Sequence, residues 1–151
     1  MRTIGEKQHG VAMVEFAIVL PLILLLIVGV TEMGRAMVRY NALTKSVRDG
    51  VRHAAAYALL GSTGTVNIDA QLTNEVRNLV VYGNIAGTGT PILEGLNTSQ
   101  IQLVDSGGGQ VRVDAGYPYQ PLTGPTLQTF GFGPGRSLAF TMQASVSMRA
   151  L

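Results

Sequence analysis

One carboxylate stands alone in a long apolar run. From Val11 to Thr31 the chain reads VAMVEFAIVLPLILLLIVGVT, and Glu15 is the sole ionisable side chain among these twenty-one residues. The uninterrupted part, Phe16 to Thr31, is sixteen residues long. As a helix it covers roughly 24 Å, short of the ~30 Å hydrocarbon core of a bilayer. A span therefore has to include Val11 to Val14, which takes Glu15 to the edge of the hydrocarbon or into it. An ionised side chain at the centre of a membrane helix costs about 2.5–3.5 kcal/mol, and less near an end. The chemistry this position invites is charge pairing with a cation supplied by another group.

Other reactive side chains are scattered. His9 and His53 lie far apart, and the chain has no cysteine, so the three or four ligands of a zinc site are missing and no disulfide framework can form. His53 reads as a partly exposed helix residue. The run Gly131-Phe132-Gly133-Pro134-Gly135 lacks the spacing and the strand-to-helix turn of a dinucleotide fingerprint, and Gly61-Ser62-Thr63-Gly64-Thr65 lacks the lysine of a phosphate loop. No serine sits in a nucleophile motif. With 11 Lys+Arg against 9 Asp+Glu, the net charge of +2 gives no basic stripe for nucleic acid. These observations predict no cofactor, no metal, no small-molecule substrate and no catalytic residue. Tyr117 and Tyr119, on either side of Pro118, are candidates for an exposed aromatic contact with a partner, or for rings that pack over a sheet.

The elements that must position these residues follow from periodicity. The 151 residues are 46% hydrophobic and only 13% charged, with the apolar excess concentrated near the N-terminus. Beyond the apolar run, Ala36, Tyr40, Leu43, Val47, Val51, Ala54 and Ala58 fall at helical spacing on one face. One helix is therefore predicted from about Val11 to Leu60, its first half in lipid and its second half amphipathic, stopped by Gly61–Gly64. Close packing or a slight bend is anticipated at Gly34 and Gly50. A second helix is predicted over Ile68–Tyr82, capped by Asn67, with Ile68, Leu72, Val76, Leu79 and Val80 inward. Strands are predicted at Ile101–Asp105, Gln110–Asp114 and Leu138–Met148, the first two joined through Ser106–Gly109, with Gly116–Gly135 as a loop. The fold class is α+β: a long N-terminal helix, a short second helix and an antiparallel sheet of about three strands.

Gly10-Val11-Ala12-Met13-Val14-Glu15 resembles the processing site of type IV prepilins, where a short hydrophilic leader ends in glycine and glutamate is the fifth residue after it. More narrowly, His9 to Met37, with its Val-Glu-Phe-Ala core, its Leu-Pro-Leu and its closing Glu32-Met33-Gly34-Arg35, resembles the start of TadE-like pseudopilins, minor components of the tight adherence (Flp) pilus machinery. Val111-Arg112-Val113, Tyr117-Pro118-Tyr119 with Pro121 and Leu122, and Met142 to Arg149 resemble later strands of that family. The resemblance implies a pilin-like fold, cleavage by a prepilin peptidase between Gly10 and Val11, and loss of the leader, residues 1–10. It further implies a transmembrane segment at 11–33 and a periplasmic domain at 34–151. Glu15 would pair with the new α-amino group of a neighbouring pilin-like subunit in the bacterial inner membrane. The major subunits of that system are much shorter chains, which favours a minor role in starting or regulating the pilus.

Other readings of the residues remain open. A cleavable secretory signal fits less well, because the run exceeds the usual 7–15 residues and Gly34-Arg35-Ala36 is no A-x-A site. An unprocessed membrane-anchored binding domain, or a minor pseudopilin of type II secretion or of type IVa pili, fits the same span. Charge counting sets Arg2 and Lys7 before the span against Arg35, Arg39, Lys45, Arg48 and Arg52 after it. Taken alone, that places the C-terminal side in the cytoplasm, whereas the resemblance implies a cytoplasmic N-terminus.

Overall fold

The computed structural model describes residues 6–59, 65–122, 124–127 and 133–151. The elements are α1 (Glu6–Tyr57), α2 (Ala70–Tyr82), a 3-10 turn at Thr98–Gln100, and strands β1 (Ile101–Gly107), β2 (Gln110–Tyr119), β3 (Thr126–Leu127), β4 (Arg136–Ser137) and β5 (Phe140–Arg149). The architecture is α+β: a long N-terminal helix, a short second helix and a three-stranded antiparallel sheet of order β1-β2-β5. Two compact units divide the chain. One joins residues up to Arg35 with Gln120–Ala139, and the other comprises Ala36–Tyr119 with Phe140–Leu151.

In the first unit, α1 carries its apolar side chains outward. Phe16, Ile18, Leu22 and Leu26 are each more than 60% exposed. Its most apolar 18-residue window has a mean hydropathy of 2.9 and is entirely unburied, so by length and composition the helix can cross a membrane. Pro21 lies within it without ending it, as membrane helices allow when nearby groups satisfy the freed carbonyl. The helix begins at Glu6, five residues earlier than predicted. Residues 120–139 add the β3–β4 ribbon, with Thr126 opposite Ser137 and Leu127 opposite Arg136. This ribbon replaces part of the loop predicted over Gly116–Gly135, of which residues 123 and 128–132 lie outside the described residues.

In the second unit, the core is built by three layers of contact. Leu43, Val47, Val51 and Ala54 from α1 meet Leu72, Val76, Val80 and Val81 from α2, and Val111, Val113 and Tyr117 from β2. Each fully buried Val or Leu contributes about 1.5–3 kcal/mol relative to exposure. Tyr40, predicted on the inward stripe, is exposed instead. The helix ends at Tyr57; Ala58 bonds back to Ala54 O, and Leu59 bridges Val66. The predicted stop at Leu60 and Gly61–Gly64 lies outside the described residues.

Local chemistry sets α2. Its N-cap is Asp69, whose side chain accepts from the Leu72 N–H at 2.7 Å. Asn67, the predicted cap, stands too early, and its own N–H is engaged by Ala58 O at 2.7 Å. Gly83 ends the helix at a φ of 75°, a left-handed conformation that glycine adopts without Cβ strain. Val81 is buried where Leu79 was predicted, and Leu79 is half-buried.

The sheet keeps a strict alternation. Val111, Val113, Ala115, Tyr117 and Tyr119 turn inward along β2, opposite Met148, Val146, Ala144, Met142 and Phe140 of β5. Gly108 and Gly109 turn the β1–β2 hairpin at φ of 61° and 73°, the left-handed pair required by a primed two-residue turn. β2 runs five residues further than predicted, through Pro118. The opposite edge permits it: β1 begins at Ile101, opposite Ala115, so from Gly116 onward that side of β2 has no strand partner among the described residues. A residue without an N–H is tolerated at such an edge.

At Gly50, α1 lies directly against α2. A Cβ there would lie 2.5 Å from Val80 Cγ2, and a β-branched residue in a helix has almost no rotamer in which to yield. At Gly34, by contrast, a Cβ would meet nothing within 4 Å, so the packing anticipated there is absent from the described chain itself. Gly50→Ala should lower the unfolding midpoint in detergent, overpacking at about 1–3 kcal/mol outweighing the ~1 kcal/mol gain in helix propensity. In a Val80→Ala background the same change should stabilise. A double-mutant cycle with no coupling would show that the two positions do not meet.

Candidate functional site

The residues predicted to be processed or to assemble all lie on α1. Gly10 is exposed, and a Cβ built on it meets nothing within 4 Å. The Gly10–Val11 bond lies inside the helix, where a glycine lowers the cost of unwinding by about 1 kcal/mol relative to alanine. Val11 and Glu15 are exposed too. They are separated by about one helical turn, roughly 6 Å along the axis, and helical side chains tilt toward the N-terminus.

At the other end of the apolar run stands a carboxylate whose role sequence reasoning missed. Glu32 is only 8% exposed. Its Oε1 accepts the Leu122 N–H at 2.7 Å and lies 3.7 Å from Arg35 Nη1. A charged acceptor bonded to a backbone N–H makes a short, strong hydrogen bond, so the segment beginning at Gln120 is fastened where the apolar run ends. The available signal was the position of Glu32, one residue past that run; its partner is ninety residues away in sequence.

Tyr117 and Tyr119 are buried, at 0% and 3% exposure. They belong to the interior of the second unit and do not form an exposed contact surface. The Tyr117 hydroxyl donates to Glu94 O at 3.0 Å and accepts from Arg39 Nη1 at 2.8 Å. The Arg39 guanidinium also lies 5.6 Å from the Tyr119 ring centroid, a cation–π contact, and Tyr119 packs against Phe140 with centroids 5.2 Å apart. Alternation along β2 turns both tyrosines to the inner face, where one cation serves both. Arg35 and Arg39, two of the cations counted after the span, thus have partners within the chain.

His53 is half-buried on α1. Its Nε2 lies 3.0 Å from Glu75 Oε2, and its ring is 4.8 Å from that of Tyr57. The Glu75 carboxylate also accepts from Gln71 Nε2 at 2.9 Å. The hydrogen bond from Gln71, and then the one with His53, hold the Glu75 carboxyl below its ordinary value. The outer face of the sheet is polar. A shallow groove there is lined by Gln100, Gln102, Asp114, Gly116, Gln143 and Ser145, and Asp114 is already engaged by Arg112 Nε at 3.0 Å and by the Ser145 hydroxyl. Among the described residues, no group of three or more His, Cys, Asp or Glu side chains could hold a metal ion.

Two measurements check these contacts. Tyr117→Phe strands the Arg39 donor and the Glu94 carbonyl, and should cost about 1–3 kcal/mol in unfolding experiments; a loss below about 0.5 kcal/mol, as at an ordinary surface position, would show that the hydroxyl is dispensable. Glu75 titrates lower in the folded chain than in the unfolded one, so its stabilisation is complete above the ordinary glutamate value, near 4.3. It is lost as pH falls through the lowered folded value. Gln71→Ala should therefore flatten the acid limb of the stability profile; an unchanged limb would remove Gln71 as the cause.

Residues 10–52 match a family model described as TadE-like protein. No curated protein and no solved structure matches the chain. The matched stretch begins at Gly10 and holds Val11, Glu15, Glu32 and Arg39, and it ends within the half of α1 that builds the core. The similarity thus covers the greater part of α1, and the rest of the chain lies outside it.

Proposed function

We propose that this protein is a minor pseudopilin of the tight adherence (Flp) pilus machinery, a structural subunit and not an enzyme. The observation that carries the reading is the five-residue spacing from Gly10 to Glu15, found at the start of the TadE-like match and at the head of an exposed apolar helix. The precursor enters the inner membrane with residues 1–10 in the cytoplasm and the domain beyond residue 33 in the periplasm. A prepilin peptidase cuts after Gly10, leaving an α-amino group on Val11. α1 then packs beside the helices of other pilin-like subunits to initiate or regulate the pilus used in adhesion.

Glu15 is the assembly residue. Its tilt toward the N-terminus presents the carboxylate at the level of a neighbour's Val11 amine, in a medium that solvates neither charge well. A buried pair that loses one partner is destabilised by ~3–5 kcal/mol, enough to separate processed from unprocessed chains during assembly. The exposed apolar side chains of α1 supply the remaining contact, through close packing in lipid.

The intact mass of the protein recovered from its native membrane tests the processing step. A chain starting at Val11 is the expected result; one still starting at Met1 in cells with active prepilin peptidase overturns the proposal. Glu15→Ala should insert and be cleaved as before, yet fail to co-purify with other pilin-like subunits. Undiminished co-purification would show that Glu15 has no part in assembly.

A further inference from the structure

We infer that the free edge of β5 is a docking site for an extended segment of a different protein chain, which adds to the sheet as a fourth strand running antiparallel to β5. β5 ends the order β1-β2-β5, is ten residues long and is paired on one side only, in unbroken register. The Ala150 N–H bonds to Gly109 O at 2.8 Å, and hydrogen-bonded pairs alternate along an antiparallel ladder. Met142, Ala144, Val146 and Met148 therefore turn their backbone groups to β2. Thr141, Gln143, Ser145 and Ser147 turn theirs outward, where no backbone hydrogen bond reaches them among the described residues. Such a row of open N–H and C=O groups is a template for another extended backbone, and edges that stay unpaired are ordinarily blunted by a bulge, a proline or a charge. The opposite edge is blunted: β1 is bulged between Asp105 and Gly107, and Arg77 Nε already donates to the Ile101 carbonyl. β5 has no bulge, no proline and no lysine, and its one charged residue, Arg149, stands at its very end.

The side chains beside that edge define the occupant. On the inner face, Phe140 is 52% and Met148 37% exposed, one near each end of the strand. On the outer face, Thr141, Gln143, Ser145 and Ser147 are exposed and polar. A strand that alternates apolar and polar residues covers the first set and matches the second. Arg149 is exposed and forms no ion pair among the described residues. Antiparallel addition brings the N-terminal end of the incoming strand opposite it, where an acidic residue completes the match. A second copy of this chain does not fit. Its β5 would pair about a two-fold axis perpendicular to the sheet, which reverses every direction lying in the sheet plane. α1 runs along that plane, because Leu43, Val47 and Val51 pack in one core with the inner face of β2. The apolar halves of the two copies would then point opposite ways and not enter one membrane. Only this exclusion rests on the reading of α1 as a span.

Amide hydrogen exchange on the full chain in detergent tests the edge, with a synthetic peptide of alternating valine and threonine, about nine residues long and led by glutamate, as the added strand. Alone, the Thr141, Gln143, Ser145 and Ser147 amides should exchange at least about tenfold faster than those of Met142, Ala144 and Val146. Saturating peptide should slow the outward amides by about tenfold or more, and lysine in place of the leading glutamate should weaken that effect. Ser145→Pro removes only an outward N–H at an edge, so it should abolish the slowing while the Val146 amide and the unfolding midpoint stay as they were. The peptide N-methylated at alternate residues makes the same test on the unaltered chain and should slow nothing. In native membranes, β5 of the natural chain should already exchange slowly. Outward amides that stay fast under saturating peptide or in native membranes overturn the inference, as does equal slowing by the N-methylated peptide. Slowing that rises with the chain's own concentration, without peptide, also overturns it, because a second copy then covers the edge. None of these outcomes bears on cleavage after Gly10, which the intact mass reads separately.

Discussion

The structure depends on one constraint: α1 is a single uninterrupted helix from Glu6 to Tyr57 whose first half is apolar enough to cross a membrane and whose second half packs a folded core. A helix closes its own backbone hydrogen bonds, so it can continue from lipid into water without exposing an unpaired amide to hydrocarbon. Its side chains then decide what each half does. Up to Thr31 they are apolar around nearly the whole circumference. After Ala36 one face turns inward, and Leu43, Val47, Val51 and Ala54 become the floor of the core, while Met37, Val38 and Tyr40 stay exposed. With no cysteine in the chain, no cross-link restrains the unfolded state, so the second unit has to be held by packing against this floor and by the hydrogen bonds around it.

Three polar clusters show how that packing is given a unique register. Asp69 fixes the start of α2 through the Leu72 N–H, and Arg77 Nε donates to Ile101 O at 3.1 Å, tying α2 to the first residue of β1. Arg39 joins α1 to the inner face of β2 through Tyr117, whose hydroxyl continues to the Glu94 carbonyl. At the chain's end, Leu151 N–H reaches Ala55 O at 2.9 Å and Ala150 N–H reaches Gly109 O at 2.8 Å, so β5 is fastened both to α1 and to the hairpin turn. Each bond contributes only about 0.5–1.5 kcal/mol net, but an alternative register would strand buried donors at greater cost.

Carboxylates divide their duties according to what surrounds them. Glu15 is exposed on an apolar stretch of helix. Glu32, seventeen residues on, is buried and bonded within the chain. Glu75 lies in the folded domain between Gln71 and His53. The same functional group thus stands open on a helix surface, tethers a distant segment or shapes local electrostatics, and burial together with the nearest donor determines which.

Much of this was legible in the sequence because the signals are local. The apolar run from Val11 to Thr31 specifies a helix long and apolar enough to cross a membrane, the spacing of Leu43, Val47, Val51 and Ala54 specifies one buried face, and the alternation around Met142, Ala144 and Val146 specifies β5, since helical and strand periods of 3.6 and 2 are properties of the backbone. The Gly10–Glu15 spacing is equally local. What tertiary structure alone decided involves partners distant in the chain. The burial of Tyr117 and Tyr119 depends on β2 continuing past Asp114, which in turn depends on where β1 starts. Asn67 is not the cap because α2 starts only at Ala70, where the Asp69 side chain takes the Leu72 N–H. The role of Glu32 depends on Leu122, and that of Gly50 on Val80. Sequence periodicity says which face of an element is apolar; which residue on another element meets it is set by chain closure in three dimensions, and no local pattern encodes that.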